Sequence, residues 1–474
     1  MTLTIFSALY ILCVCAIFYL IQSRFRIGFL ALSAICYVFL LSVPAGVTVT
    51  AVTLFAWGIG LLIGIPRLRS FFTAFGVLSC VAFLLLMKSY ARFPFLQDET
   101  SVLHRYILPI GFSFYIFQVI SYFADLYRGK LIPEKNPLYM LLYLAWFPKF
   151  ISGPIERKAD FDSQLENVKT LRFYDPGRWS RVFQYVLIGV FYKVVIADRL
   201  GIYVDRIWES YGEMGSAALA FGALLYSFQI YCDFAGYSYA AIGFSLLFGI
   251  RLTDNFLLPY QSKNISEFWR RWHHSLSSWL RDYIYIPLGG NRKGTVRKLL
   301  NTLAVFLICG LWHGESLKFV AWGLLHGLFS GVDVLLAGAE GWRAKLRSGL
   351  SGQILTFLAV TFAWIFFRAD SLKVAGSYIL RMLSAGISPG GIGADFHALF
   401  PQHITDLMIL TVSILLLMMV EYLAERENKS VPALIIGKPY YVQYAADFLL
   451  ITGIMILGIY GPAHDTARMI YMQF

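Results

Sequence analysis

The sequence predicts an all-α integral membrane protein with roughly eleven transmembrane helices, since each crossing needs about 20 residues. Apolar residues (A, V, I, L, M, F, W, Y and C) make up 58% of the 474 residues, and charged residues only 14%. A soluble domain carries roughly 25% charge. The apolar runs are also much longer than the roughly 10-residue alternating strands of an outer-membrane β-barrel. These observations exclude a soluble enzyme, a disordered chain and a nucleic-acid-binding array.

The apolar runs of the sequence are residues 3–21, 27–41, 47–65, 71–87, 107–123, 138–155, 217–250, 299–312, 317–335, 355–367, 407–422 and 448–460. Two of them are poor straight helices, because Pro109 and Gly111 interrupt one and Pro148 and Pro154 interrupt the other. Broken or re-entrant helices are tolerated in a bilayer only where protein or a water-filled cavity satisfies the freed backbone groups. A cavity is therefore expected near these segments.

We expect one polytopic domain over residues 1–474, with N-terminal helices at 1–105, a core that carries the motifs at 106–335, and C-terminal helices at 336–474. The acidic stretch 198–213 indicates an outer loop. In the block that follows it, Asp233 and Gly236 interrupt an otherwise apolar run.

The net charge is +12. Residues 251–298 carry nine Lys or Arg against three Asp or Glu, so this segment supplies half of the net positive charge. Such residues between spans are typical of cytoplasmic loops and headgroup anchors, rather than of nucleic-acid binding. The aromatic and leucine side chains at 268, 272, 276, 279 and 283 recur at helical spacing. We therefore expect a helix, capped by Asn264 or Ser266, that lies on or dips into the cytoplasmic interface.

Ionisable residues within membrane segments are costly, so they are functional candidates. His313 ends the apolar run 299–312, and Gly314 after it is expected to leave room for a substrate. His273 and His326 lie in the same region. A neutral imidazole has an unperturbed pKa near 6.5 and can serve as a base. The alternative for each histidine is a structural, hydrogen-bonded role.

No spacing of histidines or cysteines is typical of a zinc site, and no serine-hydrolase, Walker or Rossmann motif is present. A base without a protein nucleophile favours direct transfer, in which histidine deprotonates a hydroxyl that attacks the donor. We expect no bound cofactor.

Several segments together resemble the membrane-bound O-acyltransferase (MBOAT) family, and more narrowly its bacterial branch of alginate O-acetyltransferases and teichoic-acid D-alanylation proteins. The longest is EFWRRWHHSLSSWLRDY at residues 267–283, which continues to PLGGNR at 287–292. The others are FPKFISGPI (147–155), YCDFAGYS (231–238), LWHG (311–314) and the ending IYMQF (470–474).

The resemblance implies a ring of helices around a thin centre, where a cytoplasmic opening meets an outer funnel. The essential histidine of the family falls on His313, and its second polar motif position falls on His273. Leu325 replaces the tryptophan that is usual before the second His-Gly pair, which leaves the role of His326 open. The further candidates for substrate or donor contact are Asp233, Arg270, Arg271, Trp272, Arg281, Trp312 and His326.

The predicted function is therefore transfer of an acyl group, most simply acetyl, from a cytoplasmic donor to a hydroxyl of an extracytoplasmic polysaccharide. The donor would be acetyl-CoA or an acyl carrier protein thioester. The protein would lie in the bacterial inner membrane. A separate periplasmic acetyltransferase is an expected partner. The alternatives are D-alanylation of teichoic acid and, in another class, transport of acyl groups without bond chemistry. For the arginines the alternative is headgroup anchoring, and for Asp233 a hydrogen-bonded helix break.

Overall fold

A computed structural model describes residues 2–88, 111–336, 348–386 and 404–459 of the chain. Its regular structure there is helical throughout, which confirms the predicted all-α membrane fold. Nine helices in these ranges are long and apolar enough to cross a membrane, and residues 6–20 form a shorter apolar helix. The nine are residues 23–41, Val43–Ile63, Arg69–Lys88, Ser216–Leu246, Gly294–His313, Leu317–Leu335, Gly349–Arg368, residues 407–426 and Tyr440–Leu457.

The chain divides into two compact units, the first made of residues 1–186 and 241–254 and the second of residues 187–240 and 255–474. The helices of the first unit are Thr2–Leu20, Ser23–Phe25 (3-10), Arg26–Leu41, Val43–Ile63, Arg69–Lys88, Phe112–Tyr127, Pro137–Ala145, Phe147–Lys149 (3-10), Lys158–Asp162, Leu165–Thr170 and most of Pro176–Val190.

The second unit holds the remaining helices. They are Phe191–Ala197 (π), Asp198–Glu209, Ser216–Leu246 as far as residue 240, Pro259–Gln261 (3-10), Ile265–Arg271, His274–Leu280, Arg281–Tyr285 (π), Gly294–His313, Leu317–Leu335, Gly349–Arg368, Leu372–Ser384, Ile404–Arg426, Val431–Ile436 and Tyr440–Leu457.

The predicted break in residues 138–155 is present in the first unit. Helix Pro137–Ala145 ends before the 3-10 turn Phe147–Lys149. The buried ammonium of Lys149 donates to the carbonyl oxygen of Tyr143 at 3.0 Å and to Oε1 of Gln118 at 2.9 Å. A buried side chain therefore satisfies a backbone group that the break exposes, as a non-helical segment in a membrane requires.

Two expectations from the sequence are wrong. Asp198–Glu209 is not a loop but a helix that continues directly from the π-helical turn Phe191–Ala197. Ser216–Leu246 is one helix of 31 residues that Asp233 and Gly236 do not break. Gly236 instead allows close packing, because a Cβ there would lie 2.7 Å from the carbonyl oxygen of Gly189.

Helices Gly294–His313 and Leu317–Leu335 pack closely within the second unit, and three residues connect them. A Cβ on Gly310 would lie 2.3 Å from the carbonyl oxygen of Phe319, and one on Gly323 would lie 2.4 Å from that of Phe306. Small residues that bring two backbones into contact are typical of membrane helix pairs. This contact fixes where His313, the last residue of its helix, is held.

Candidate active site

His313 lies in an aromatic enclosure at the end of helix Gly294–His313. Its side chain is buried, and its ring centroid is 4.7 Å from that of Trp312, 5.0 Å from that of Trp322 and 5.2 Å from that of Phe367. All three rings meet the imidazole edge to face. The imidazole is therefore held in a defined orientation in a site of low polarity.

The expectation that Gly314 leaves room for a substrate is wrong. The space that a Cβ would take is filled by the ring of Phe319, whose atoms come within 2.6 Å of that position. The glycine lets this ring pack against the chain just after His313, so its role is packing.

The aromatic stripe of residues 268–283 does not belong to one helix, contrary to expectation. Helix Ile265–Arg271 begins with Asn264 as its cap, whose side-chain oxygen accepts from the Glu267 amide at 2.9 Å. The helix ends at Arg271, and His273 adopts a left-handed conformation with φ of 44°. A second helix, His274–Leu280, starts immediately after it. The break places His273 at the junction of two short helices.

His273 is 1% exposed. Its ring meets that of Phe234 edge to face at 4.8 Å, and Nδ1 lies 3.3 Å from Oδ1 of Asn255. Burial lowers the pKa of this imidazole to about 3, because the charged form would lose its hydration. His273 is therefore neutral over the physiological pH range.

The structure brings the two predicted catalytic histidines together around Trp312. The indole ring lies 4.7 Å from the ring of His313 and 6.3 Å from that of His273. Trp272, next to His273, is fully buried and packs against Trp364 at 5.0 Å. Of the two tryptophans singled out from the sequence, Trp312 therefore borders both histidines, whereas Trp272 contacts Trp364.

His326 joins the same cluster through Trp322, whose ring lies 5.0 Å from those of both His313 and His326. The indole of Trp269 donates to Nδ1 of His326 at 3.1 Å. Because an indole N–H can only donate, Nδ1 of His326 carries the lone pair and Nε2 the proton. His326 is therefore held by a defined hydrogen bond within a fully buried aromatic environment.

The three predicted arginines differ in what they can offer a ligand. Arg271 is half-buried and makes a bidentate ion pair with Glu425, at 2.6 and 2.9 Å. It also makes a single hydrogen bond to the carboxylate of Glu267 at 2.6 Å. Arg281 is exposed and pairs with the adjacent Asp282 at 2.8 Å. Arg270 is exposed.

Arg270 and Arg271 line an open cavity of about 420 Å³. The other lining residues are Leu257, Leu258, Glu267, Ala424, Glu425, Asn428, Lys429 and Ser430. Two carboxylates largely offset the charge of Arg271, and Glu427 pairs with Lys429 at 2.7 Å, so Arg270 is the cation of this cavity that is better placed for an anionic ligand. Trp269, whose ring lies 5.0 Å from that of His326, is on the same short helix as Arg270 and Arg271.

Asp233 lies on the long helix Ser216–Leu246, and its carboxylate is 2.6 Å from the ammonium of Lys193. The same ammonium is 2.8 Å from Asp198. Asp233 is therefore a buried, ion-paired residue within a helix and not a helix-break residue.

Sequence reasoning missed two polar residues near these candidates, Lys193 and Asn255. Lys193 interrupts the apolar stretch at residues 191–197, a signal that the rule for ionisable residues in apolar segments contains. Asn255 has no comparable signal, because its partners are 17 to 20 residues away in sequence. Within the described ranges, no three His, Cys, Asp or Glu side chains converge as metal ligands. The motif IYMQF, His397 and His403 lie outside the described residues.

Comparison with known proteins decides the family. Residues 131–333 match the model of MBOAT, the membrane-bound O-acyltransferase family. The probable alginate O-acetylase AlgI of Pseudomonas fluorescens is 38% identical over 373 residues, which cover 78% of this chain and 69% of that protein. The chain belongs to the membrane-bound O-acyltransferase family. The predicted family, and with it the O-acyltransferase class, is confirmed.

Other members of the family are also similar. The peptidoglycan O-acetyltransferase of Helicobacter pylori is 34% identical over 312 residues, covering 60% of this chain and 58% of that protein. The teichoic acid D-alanyltransferase of Bacillus subtilis is 30% identical over 277 residues, which cover 56% of this chain and 67% of that protein. A second probable alginate O-acetylase AlgI, from Pseudomonas syringae pv. tomato, is 42% identical over 291 residues, which cover 61% of this chain and 54% of that protein. The similarity to these MBOAT proteins therefore leaves part of each relative unmatched.

Proposed function

We propose that this membrane-bound O-acyltransferase acetylates a hydroxyl of an extracytoplasmic polysaccharide and that His313 is the general base. The observation that carries this proposal is the position of His313, buried in an aromatic enclosure at the end of a candidate membrane span and joined to His273 through Trp312. An imidazole is the side chain best suited to exchange a proton near neutral pH.

The proposed reaction is a direct transfer. His313 takes the proton of the acceptor hydroxyl while the hydroxyl oxygen attacks the acyl carbonyl carbon of the thioester. The carbon–sulfur bond breaks, and the thiolate leaves and takes up the proton from His313. The products are an ester and a free thiol, so no further reactant is needed. His273 orients the reacting groups beside Trp312.

For the donor, we propose acetyl-CoA or an acyl carrier protein thioester that approaches from the cytoplasm. The support is the cavity lined by Arg270, Arg271 and Lys429 together with the basic excess of residues 251–298. Phosphate groups are recognised by such cations. Arg281 is sufficiently exposed to assist, although Asp282 offsets part of its charge.

Acetyl is the favoured acyl group because the relatives with higher identity, at 38% and 34%, are named for O-acetyl chemistry, whereas the D-alanyltransferase is 30% identical. The polysaccharide acceptor and the bacterial inner membrane are proposed on the same basis. Incubation of the purified, reconstituted protein with labelled acetyl-CoA and polymer tests the function. Acyl translocation without ester formation would favour the transporter alternative.

The decisive variants are His313→Ala and His313→Gln. We expect both to fold and to lose acyl transfer by about 10²–10⁴-fold, the usual contribution of general acid–base catalysis. Glutamine keeps a hydrogen-bonding side chain but cannot take up a proton. A structural histidine would instead show its loss first in stability, at about 1–3 kcal/mol. His274→Gln is the matched control, because His274 is only partly buried and its Nδ1 bonds to the carbonyl oxygen of Arg270. Turnover retained in His313→Gln would remove the proposed mechanism.

We also propose that a separate extracytoplasmic transferase takes the acetyl group onward to the polymer. The reconstituted protein alone would then acetylate small hydroxyl acceptors but little polymer, and adding the second protein would restore polymer acetylation. Efficient polymer acetylation by the purified chain alone would contradict this relay.

A further inference from the structure

The side chain of Asn255 stabilises the helix break at His273. Its Oδ1 accepts from the backbone amide of Ser275 at 3.3 Å and from the hydroxyl of Ser275 at 2.7 Å, and it lies 3.3 Å from Nδ1 of His273. The backbone carbonyl of Asn255 accepts from the amide of His274 at 2.9 Å. One asparagine therefore bonds to three successive residues at the start of helix His274–Leu280.

These contacts fix which way the amide of Asn255 faces. A backbone N–H can only donate, so the atom opposite the Ser275 amide is the oxygen and not the nitrogen. The nitrogen faces the other way and donates to Oγ of Ser238 at 3.4 Å. With oxygen opposite Nδ1 of His273, a favourable contact requires that Nδ1 carry the proton. In a neutral imidazole, the lone pair is then on Nε2.

We infer that Asn255 is a positioning residue that holds His273 as the Nδ1–H tautomer, so that Nε2 of His273 offers a lone pair to a hydrogen-bond donor in the site and cannot donate to the acyl carbonyl. This rests on the proposed function and narrows the role of His273 within it. The low pKa of His273 is consistent with an uncharged acceptor. His326 provides the contrast, because Trp269 holds it as the opposite tautomer.

The tautomer itself is tested by ¹⁵N NMR of histidine-labelled protein, with the signals of His273 assigned by their loss in His273→Gln. We expect a protonated Nδ1 and an unprotonated Nε2 in the wild type. Asn255→Asp keeps an oxygen opposite Nδ1 and should keep this pattern, whereas Asn255→Leu should lose it. The reverse pattern in the wild type would overturn the inference, and this readout does not depend on activity.

Kinetics supply the second readout. For metal-bound histidines, the partners that orient the ring contribute about 10–100-fold to activity, and we take the same range for His273. We expect Asn255→Leu to lower kcat by that factor with little change in KM for acetyl-CoA, and Asn255→Asp to recover most of it. Ser275→Ala is the control, because it removes the 2.7 Å bond to the same oxygen and leaves the His273 contact in place.

The outcomes separate the inference from the proposed function. If the wild type transfers acetyl and His313→Gln is inactive, but Asn255→Leu keeps both kcat and the tautomer, the inference fails and the function stands. If the tautomer is as expected but the wild type transfers no acetyl, the function fails and the tautomer assignment stands without a role in acyl transfer. If Asn255→Leu does not fold, the wild-type spectrum and Asn255→Asp decide.

Discussion

Replacing Lys193 by methionine should destabilise the protein strongly, because it removes a cation that two buried carboxylates share. The ammonium lies 2.6 Å from Asp233 and 2.8 Å from Asp198, whose side chains are only 3% and 8% exposed. Removing one partner of a buried ion pair costs about 3–5 kcal/mol, since an uncompensated charge stays behind. The unfolding entropy of a chain of this length is about 1 kcal/mol/K, so the expected fall in Tm is about 3–5 °C.

The assay is thermal unfolding of the detergent-solubilised protein at pH 7.5. Lys169→Met is the matched control, because Lys169 pairs with the exposed Glu166, and such surface pairs contribute little to stability. Adding Asp233→Asn to Lys193→Met should recover part of the loss by removing one of the two remaining charges. If Lys193→Met lowers Tm no more than the control does, the ion-paired cluster is not a stabilising element and the reasoning is wrong.

Two further predictions concern the histidines beside His313. His273 has a pKa of about 3 in the folded protein and about 6.5 when unfolded, so the unfolded chain alone takes up a proton as the pH falls through this window. The free energy of unfolding should then fall by about 1.4 kcal/mol per pH unit below 6.5. Between pH 7.5 and pH 5, Tm should therefore drop further for the wild type than for His273→Gln. Equal drops in Tm would contradict the buried neutral state of His273. Trp269→Phe removes the indole donor to Nδ1 of His326 and should cost about 1–3 kcal/mol. Trp179→Phe, whose indole donates to the carbonyl of Phe173 at an exposed position, should change Tm much less; comparable losses would mean that the His326 bond contributes nothing specific.

The fold class could be predicted from composition and long apolar runs. The family could be predicted from contiguous motifs, and the grouping of His273 with His313 is what that resemblance implies. The helix break at His273 could not. The spacing of Phe268, Trp272 and Leu276 fits a helix whether or not the chain is continuous there, and the groups that stabilise the break come from Asn255, outside the stripe. A polar contact across 17 to 20 residues leaves no periodic trace in a single sequence.

Asp233 is a second residue whose structural role could not be predicted from the sequence. A carboxylate in an apolar run suggests a break or a functional site, and the sequence offers no means to choose. Its neighbour in space is Lys193, 40 residues earlier, and the ion pair lets the helix continue through Asp233. The role of a buried charge is decided by its partner, and the partner is set by tertiary packing.

If the proposed acyl transfer takes place at His313, a variant that accepts longer acyl chains would have to keep the contact between helices Gly294–His313 and Leu317–Leu335. A methyl group added at Gly310 or Gly323 meets a backbone carbonyl that cannot rotate away. It would therefore force the helices apart and increase the distance between His313 and Trp322. Phe367 belongs to another helix, Gly349–Arg368, and it borders the same imidazole through its side chain alone, at 5.2 Å. Shortening Phe367 would enlarge the enclosure and leave the contact between those two helices intact, but it would also remove one of the three rings that orient the imidazole.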